Sequence, residues 1–172
     1  MGDQIIYLID ADVLIAIRKK KDSQKIYDHL IGMAEDGDLK TVRQVFVEIE
    51  RHGSFFKFLL DRKAKFVLPV EQQYCSGVQK KLDFVGNKAN YLNEQTGSKD
   101  RADPWLVAVA AFHKFTLVTN ESQSSTRRIP AACKIPELYC RCISGPHFLY
   151  EVKLVQRIDP AHISVQAFFA EP

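Results

Sequence analysis

The sequence predicts a three-layer α/β domain, with helices on both sides of a mainly parallel sheet. Three observations predict it. Short, nearly continuous apolar runs at 4–9 and 115–119 read as strands buried on both faces. Stretches with apolar residues at helical spacing separate the strand-like runs. No internal repeat, and no linker rich in Pro, Gly or Ser, divides the chain, so residues 1–172 read as one domain.

The elements follow in order. Residues 4–9 form the first strand, and Asp10-Ala11-Asp12 follows at once. Val13, Leu14, Ala16 and Ile17 recur at helical spacing, with Asp12 as the expected N-cap and the basic run Arg18 to Lys21 closing the segment. A second helix covers Ser23 to Asp36, stopped by Gly37. Leu39 to Val42 reads as a short strand, Gln44 to Arg51 and residues 54–63 as helices, and Phe66 to Val70 as a further strand. Gln72 to Leu92 is a long helical stretch, and the polar segment 93–99 a loop. Asp103-Pro104 opens an apolar helix, Trp105 to His113, with Trp105 and Phe112 as core residues. Phe115 to Thr119 is the next buried strand, Asn120 to Arg128 a loop, and Phe148 to Leu154 a last strand.

Composition sets outer bounds. The chain is 46% hydrophobic and 26% charged, with a formal net charge of +3, which permits a nucleic-acid partner without demanding one. Asp3, Asp10 and Asp12 interrupt the first twenty residues, so no secretory signal is expected. No run of about 18 apolar residues occurs, so no membrane span is expected either. The reading is a cytoplasmic protein in which Cys75, Cys133, Cys140 and Cys142 are reduced thiols. The spacing of Cys133, Cys140, Cys142 and His147 fits no paired zinc knuckle.

Carboxylates recur where a parallel sheet builds its sites, at the carboxyl ends of strands. Asp10 and Asp12 follow the first strand, and Glu121 follows the strand at 115–119. Asp103 begins the helix that runs back to the start of that strand, so it starts from the same edge. Glu48 lies about five residues past the second strand, and its long side chain must reach back roughly 7–8 Å. Each has an ordinary alternative: a helix cap for Asp10, Asp12 and Asp103, a solvated helix residue for Glu48, a loop residue for Glu121. Together on one edge, they would repel strongly unless a cation neutralised them. An all-oxygen set favours Mg²⁺ or Mn²⁺, the chemistry of phosphodiester hydrolysis.

These segments resemble the PIN-domain family. Leu8-Ile9-Asp10-Ala11-Asp12-Val13-Leu14-Ile15 is similar to its opening strand and turn. Val45-Phe46-Val47-Glu48-Ile49, Ala102-Asp103-Pro104-Trp105-Leu106-Val107-Ala108-Val109-Ala110 and Leu117-Val118-Thr119-Asn120-Glu121 resemble the segments carrying its other three acids. They occur in family order within a motif-bearing core of about 4–121, with 122–172 as a C-terminal extension. Asp103-Pro104-Trp105 and Lys134-Ile135-Pro136 with Cys140 resemble a little-characterised PIN-like branch.

The resemblance implies an α/β/α sandwich and a metal-dependent endoribonuclease acting on single-stranded RNA, sometimes DNA. Many relatives are toxins of bacterial toxin–antitoxin pairs, so an antitoxin partner and a homodimer are further implications. On this reading Asp10 and Asp103 hold the cation and Glu48 and Glu121 complete the set. Asp12 is a further candidate ligand, Thr119 orients a carboxylate, and Arg127 and Arg128 grip phosphates. Three features depart from the family pattern: Asp12 stands where Asn or Ser is usual, Glu121 where Asp is commoner, and Asn120 is neutral. They motivate a rival, a PIN-like binding domain without catalysis. Asp10-Ala11-Asp12 also satisfies the Asp-x-Asp start of a small-phosphoester phosphatase, although nothing later supplies the Thr/Ser and Lys pair.

Overall fold

The computed structural model describes residues 4–87, 101–126, 128–155 and 164–170. β1 (Tyr7–Ile9) leads into α1 (Ala11–Ile17) and α2 (Ser23–Asp36), then β2 (Leu39–Lys40) and α3 (Arg43–Glu50). A 3-10 turn at Ser54–Phe56 precedes α4 (Lys57–Leu60), α5 (Lys63–Phe66), α6 (Val70–Gln73) and α7 (Ser76–Asn87). Next come α8 (Ala102–His113), β3 (Thr116–Val118), α9 (Ile129–Ala132) and a 3-10 turn at Pro136–Leu138. β4 (Cys142–Ile143), α10 (Gly145–Glu151) and α11 (Val165–Ala170) follow.

The four strands form one parallel sheet in the order β2-β1-β3-β4. Tyr7 pairs with Leu39 on one side and Thr116 on the other, and Leu117 pairs with Cys142. Successive side chains of a strand point to opposite faces. Every residue of β1 and β3 is buried, so both faces of the sheet are covered. The molecule is therefore the α/β sandwich that the apolar runs predict. One cluster of buried side chains extends from Tyr7 to Phe169.

α8 shows why a helix occupies the centre of this arrangement. Leu106 through Ala111 are all buried, so the helix is apolar on every side and must sit inside. It packs against α7, α3, α9 and β3. α2 shows the opposite case, an amphipathic helix with Ile26, Tyr27, Leu30 and Ala34 inward. Gly37 ends it with φ 90°, a left-handed conformation that costs glycine least. Val42 gives α3 no side-chain cap; instead the Arg43 N–H donates to Gln73 Oε1 at 3.1 Å, and Gln73 Nε2 donates to the buried Gln44.

Several expected elements are corrected. No strand forms over Phe66 to Val70: residues 63–66 close a helical turn, and Val67 contributes a single bridge to Thr41. The last strand is not Phe148 to Leu154 but Cys142–Ile143, and Phe148 lies within α10. Ser144 explains the helix, since its side chain accepts the His147 N–H and Pro146 sits in the first turn. The stretch from Gln72 breaks at Tyr74 and Cys75 into α6 and α7, and its end beyond Asn87 lies outside the described residues. The loop at 93–99 and Asp100 also lie outside them. Asp10, not Asp12, caps α1, and Arg101, not Asp103, precedes α8. Trp105 is half-buried against Tyr74, with ring centroids 5.0 Å apart, whereas Phe112 is 42% exposed and outside the core. No helix among the described residues is long and apolar enough to cross a membrane.

Candidate active-site cleft

Strand order fixes where a site forms. The chain leaves β1 toward β2 on one side and leaves β3 toward β4 on the other. The connections diverge, and such a switch point opens a crevice beyond the carboxyl ends of the two strands. A cleft of about 470 Å³ lies there, lined by Asp10, Asp12, Glu48, Asp103 and Glu121 together with Arg51, His52, Arg101 and Arg128. The structure thus brings all five sequence-predicted carboxylates to one cleft. Glu48 belongs to it, because α3 turns its side chain toward the start of α8, where Oε1 accepts the Ala102 N–H at 3.2 Å.

Asp10 and Thr119 extend the sheet by one residue each. The Asp10 N–H donates to Val118 O at 3.0 Å, and the Thr119 N–H donates to Ile143 O at 3.0 Å. The Asp10 carboxylate accepts the Ala11 N–H at 2.6 Å through Oδ1 and the Thr119 hydroxyl at 2.9 Å through Oδ2. That hydroxyl also lies 3.4 Å from Asp12 Oδ2, and its oxygen accepts the Glu121 N–H at 3.2 Å. Thr119 is fully buried. It therefore ties three of the five acids together. Asn120 adds a backbone N–H to both Asp12 oxygens, at 3.0 and 3.2 Å.

Glu121 is held differently. Its Oε2 accepts the Ile129 N–H at 2.7 Å, and its Oε1 pairs with Arg128 at 3.1 Å. Arg128 thus lines the cleft but already grips a carboxylate. Arg127 lies outside the described residues. Arg51, His52 and Arg101 were not singled out from the sequence. A helical signal existed for Arg51, which stands one turn after Glu48 and so near its face. Lys20 and Lys21 of the basic run after α1 line a different pocket with Lys25.

The electrostatics follow from burial and crowding. Burial, then the charges of Asp12, Asp103 and Glu48, pushes the Asp10 carboxyl well above the usual range despite the Thr119 hydrogen bond. Asp12 is pushed up to about 6 by burial and by Glu121, against the opposing Asn120 N–H. Burial also raises Glu48, Asp103 and Glu121, with Asp103 adding repulsion to both glutamates and Arg101 and Arg128 easing Asp103. Buried acids that resist ionisation are stabilised by a cation supplied from outside.

An all-carboxylate donor set fits a hard divalent ion. As placed, no three His, Cys, Asp or Glu side chains among the described residues converge into a ready-made cage. Mg²⁺ sites commonly use only one or two carboxylates, with waters and substrate phosphates completing the shell, so this spacing fits recruitment together with an anionic substrate. A family model described as Domain of unknown function (DUF4411) matches residues 7–154, which contain every residue of the cleft. No curated protein and no solved structure matches the chain.

Proposed function

This chain belongs to the DUF4411 family, and on that premise we propose that it is a Mg²⁺- or Mn²⁺-dependent endoribonuclease of PIN-like type. One observation carries the reading: five carboxylates with raised proton affinity share a switch-point cleft with three arginines. An acidic floor suits a cation, and an arginine rim suits the phosphates of a polyanion. Single-stranded RNA is the substrate class we favour, within the cytoplasm.

Asp10 and Asp103 would hold the cation, with Glu48, Glu121 and Asp12 completing the set. When bound, that cation supplies the charge that activates water and neutralises phosphoryl oxygens. Thr119 fixes the Asp10 carboxylate through its hydroxyl, so the ligand does not have to be ordered during turnover. Arg51 and Arg101 orient the phosphates flanking the scissile bond. Arg128 divides its charge between Glu121 and substrate.

The Arg128–Glu121 pair also motivates a second reading, in which the chain binds RNA without cutting it. The test separates the two. Wild type and an Asp10→Asn/Asp103→Asn double variant are incubated with a mixed-sequence single-stranded RNA, a matching DNA and a chromogenic phosphoester, with Mn²⁺, Mg²⁺ or EDTA. Cleavage of RNA that needs the cation and is lost in the double variant is the expected result. RNA binding without cleavage selects the second reading, and turnover of the phosphoester alone refutes both.

A further inference from the structure

α3, the helix that carries Glu48, runs out into an exposed strip. Arg51, His52, Gly53, Ser54 and Phe55 are five consecutive exposed residues. Arg51 and His52 line the acidic cleft. Gly53, at φ 83°, turns the chain away from α3 in the left-handed conformation that favours glycine. Phe55 stands three residues beyond His52, so their Cα atoms are at most about 11 Å apart.

Phe55 differs from the rings around it. It is 51% exposed, whereas Phe56 is fully buried and Phe58 half-buried. Yet its ring is held in place. It meets Phe56 edgewise, with centroids 5.0 Å apart and planes at 83°, and Phe58 at 6.3 Å and 82°. His52 packs edgewise on the same Phe56 ring, at 6.4 Å and 88°. One buried ring thus supports both the cleft-lining imidazole and the exposed phenyl group. These contacts leave half of the Phe55 surface open to solvent.

A lone exposed phenylalanine is ordinary. One that is buttressed by neighbouring rings and placed beside a cleft arginine has the two parts of a single-strand-binding surface. A base stacks on the ring while the adjoining phosphates meet the cation. We propose that Phe55 is a base-stacking platform at the rim of the cleft, taking an unpaired base of a single-stranded RNA whose phosphates pass Arg51. The inference rests on the RNA reading given above and deepens it, because it supplies a reason for the strand to be single. Bases within a duplex are already stacked on both faces and offer none to Phe55. Every base has such a face, so the platform grips the strand without choosing its sequence.

The test reads binding rather than cleavage. A labelled single-stranded RNA decamer is titrated with wild type, Phe55→Ala and Phe55→Tyr, in EDTA and in Ca²⁺, with gels confirming that the strand stays intact. A set of decamers, each lacking one base, and the decamer as a duplex are titrated in parallel, and the melting temperatures of the three proteins are compared. Phe55→Ala should bind the intact strand at least about fivefold more weakly, and Phe55→Tyr as well as wild type. Removing one particular base should weaken wild type by a similar factor and Phe55→Ala no further. Duplex affinity should be the same for all three proteins. This pattern with no Mn²⁺-dependent cleavage would uphold the platform and refute only the nuclease reading. Equal affinity of wild type and Phe55→Ala for the single strand, a loss shared by Phe55→Tyr, or missing bases that weaken wild type and Phe55→Ala alike would overturn the proposal.

Discussion

Asp10 meets two opposing demands. Its backbone closes the β1–β3 ladder, while its fully buried carboxyl group faces four other acids across the cleft. Asp10→Asn keeps the size and removes the charge. Turnover should fall at least about 100-fold, the scale of losing one preorganised charge contact, while the melting temperature of cation-free protein holds or rises. A destabilised variant with normal turnover contradicts the assignment. The same residues set a pH dependence. Asp12 is raised from 3.8 to about 6, so its contribution to cation-free stability is fully present below about pH 4 and is lost as pH rises through 6. Asp10, raised in the same direction, adds to the trend. The melting temperature of cation-free protein should therefore decline from pH 4 to 7, and Mn²⁺ should restore it at pH 7. A wild-type profile identical to that of Asp10→Asn would remove the basis for this claim. The four strand-edge acids and Thr119 were legible because each follows or precedes an apolar run. Arg51, His52 and Arg101 were not, since a charged residue at a helix end carries no sign of which cleft it will face.

At the scale of elements, α10 illustrates both what sequence conceals and what packing demands. Apolar residues alternate at Phe148, Tyr150, Val152 and Leu154, as in a strand, yet Ser144 and Pro146 start a helix that overrides the alternation. The stretch from Phe66 likewise carries strand-like residues, but it makes a single bridge, with Phe66 O and the Leu68 N–H bonded to Thr41, so tertiary pairing decided its length. Gly145 opens α10 against Asn120: a Cβ there would lie 2.5 Å from Asn120 Oδ1, which accepts the Gly145 N–H at 3.0 Å. Gly145→Ala should cost about 1–3 kcal/mol through overpacking and should weaken cation binding, because Asn120 also holds Asp12. An unchanged denaturation midpoint would mean that Asn120 moves aside freely. At the other end of α10, Glu151 accepts from Tyr7 at 2.9 Å and pairs with Arg141 and with His147. Burial acts to raise Glu151, but those hydrogen bonds and charges outweigh it and hold the carboxyl below its usual range. Its contribution is therefore present above the unfolded value near 4.5 and is lost as pH falls through the lower folded value. Glu151→Gln should cost about 1 kcal/mol at neutral pH, discounted for partial exposure, and little below pH 4. Equal costs at both pH values would show that the loss is steric.

For the whole molecule, a mildly basic chain folds so that five of its acids and three of its arginines share one switch-point cleft. The α/β architecture was readable from two apolar strand runs and the all-apolar α8, because burial on every side leaves few other places for such segments. The exact strand lengths were not readable, since partner strands set them. If the cleft takes RNA as proposed, the net charge of +3 and the arginine rim should make that affinity depend strongly on ionic strength. Arg51→Ala should weaken binding across sequences and reduce the log–log salt slope by about 1. A slope unchanged by that substitution would place the RNA path away from the rim. Titration calorimetry of Mn²⁺ into wild type and Asp10→Asn/Asp103→Asn at pH 6 tests directly whether the cleft is a divalent-cation centre. Binding by wild type with release of protons from the raised carboxyls, absent or at least tenfold weaker in the double variant, is the predicted result. Equal Mn²⁺ affinity in the two proteins, or no binding and no proton release in wild type even with RNA present, would contradict it.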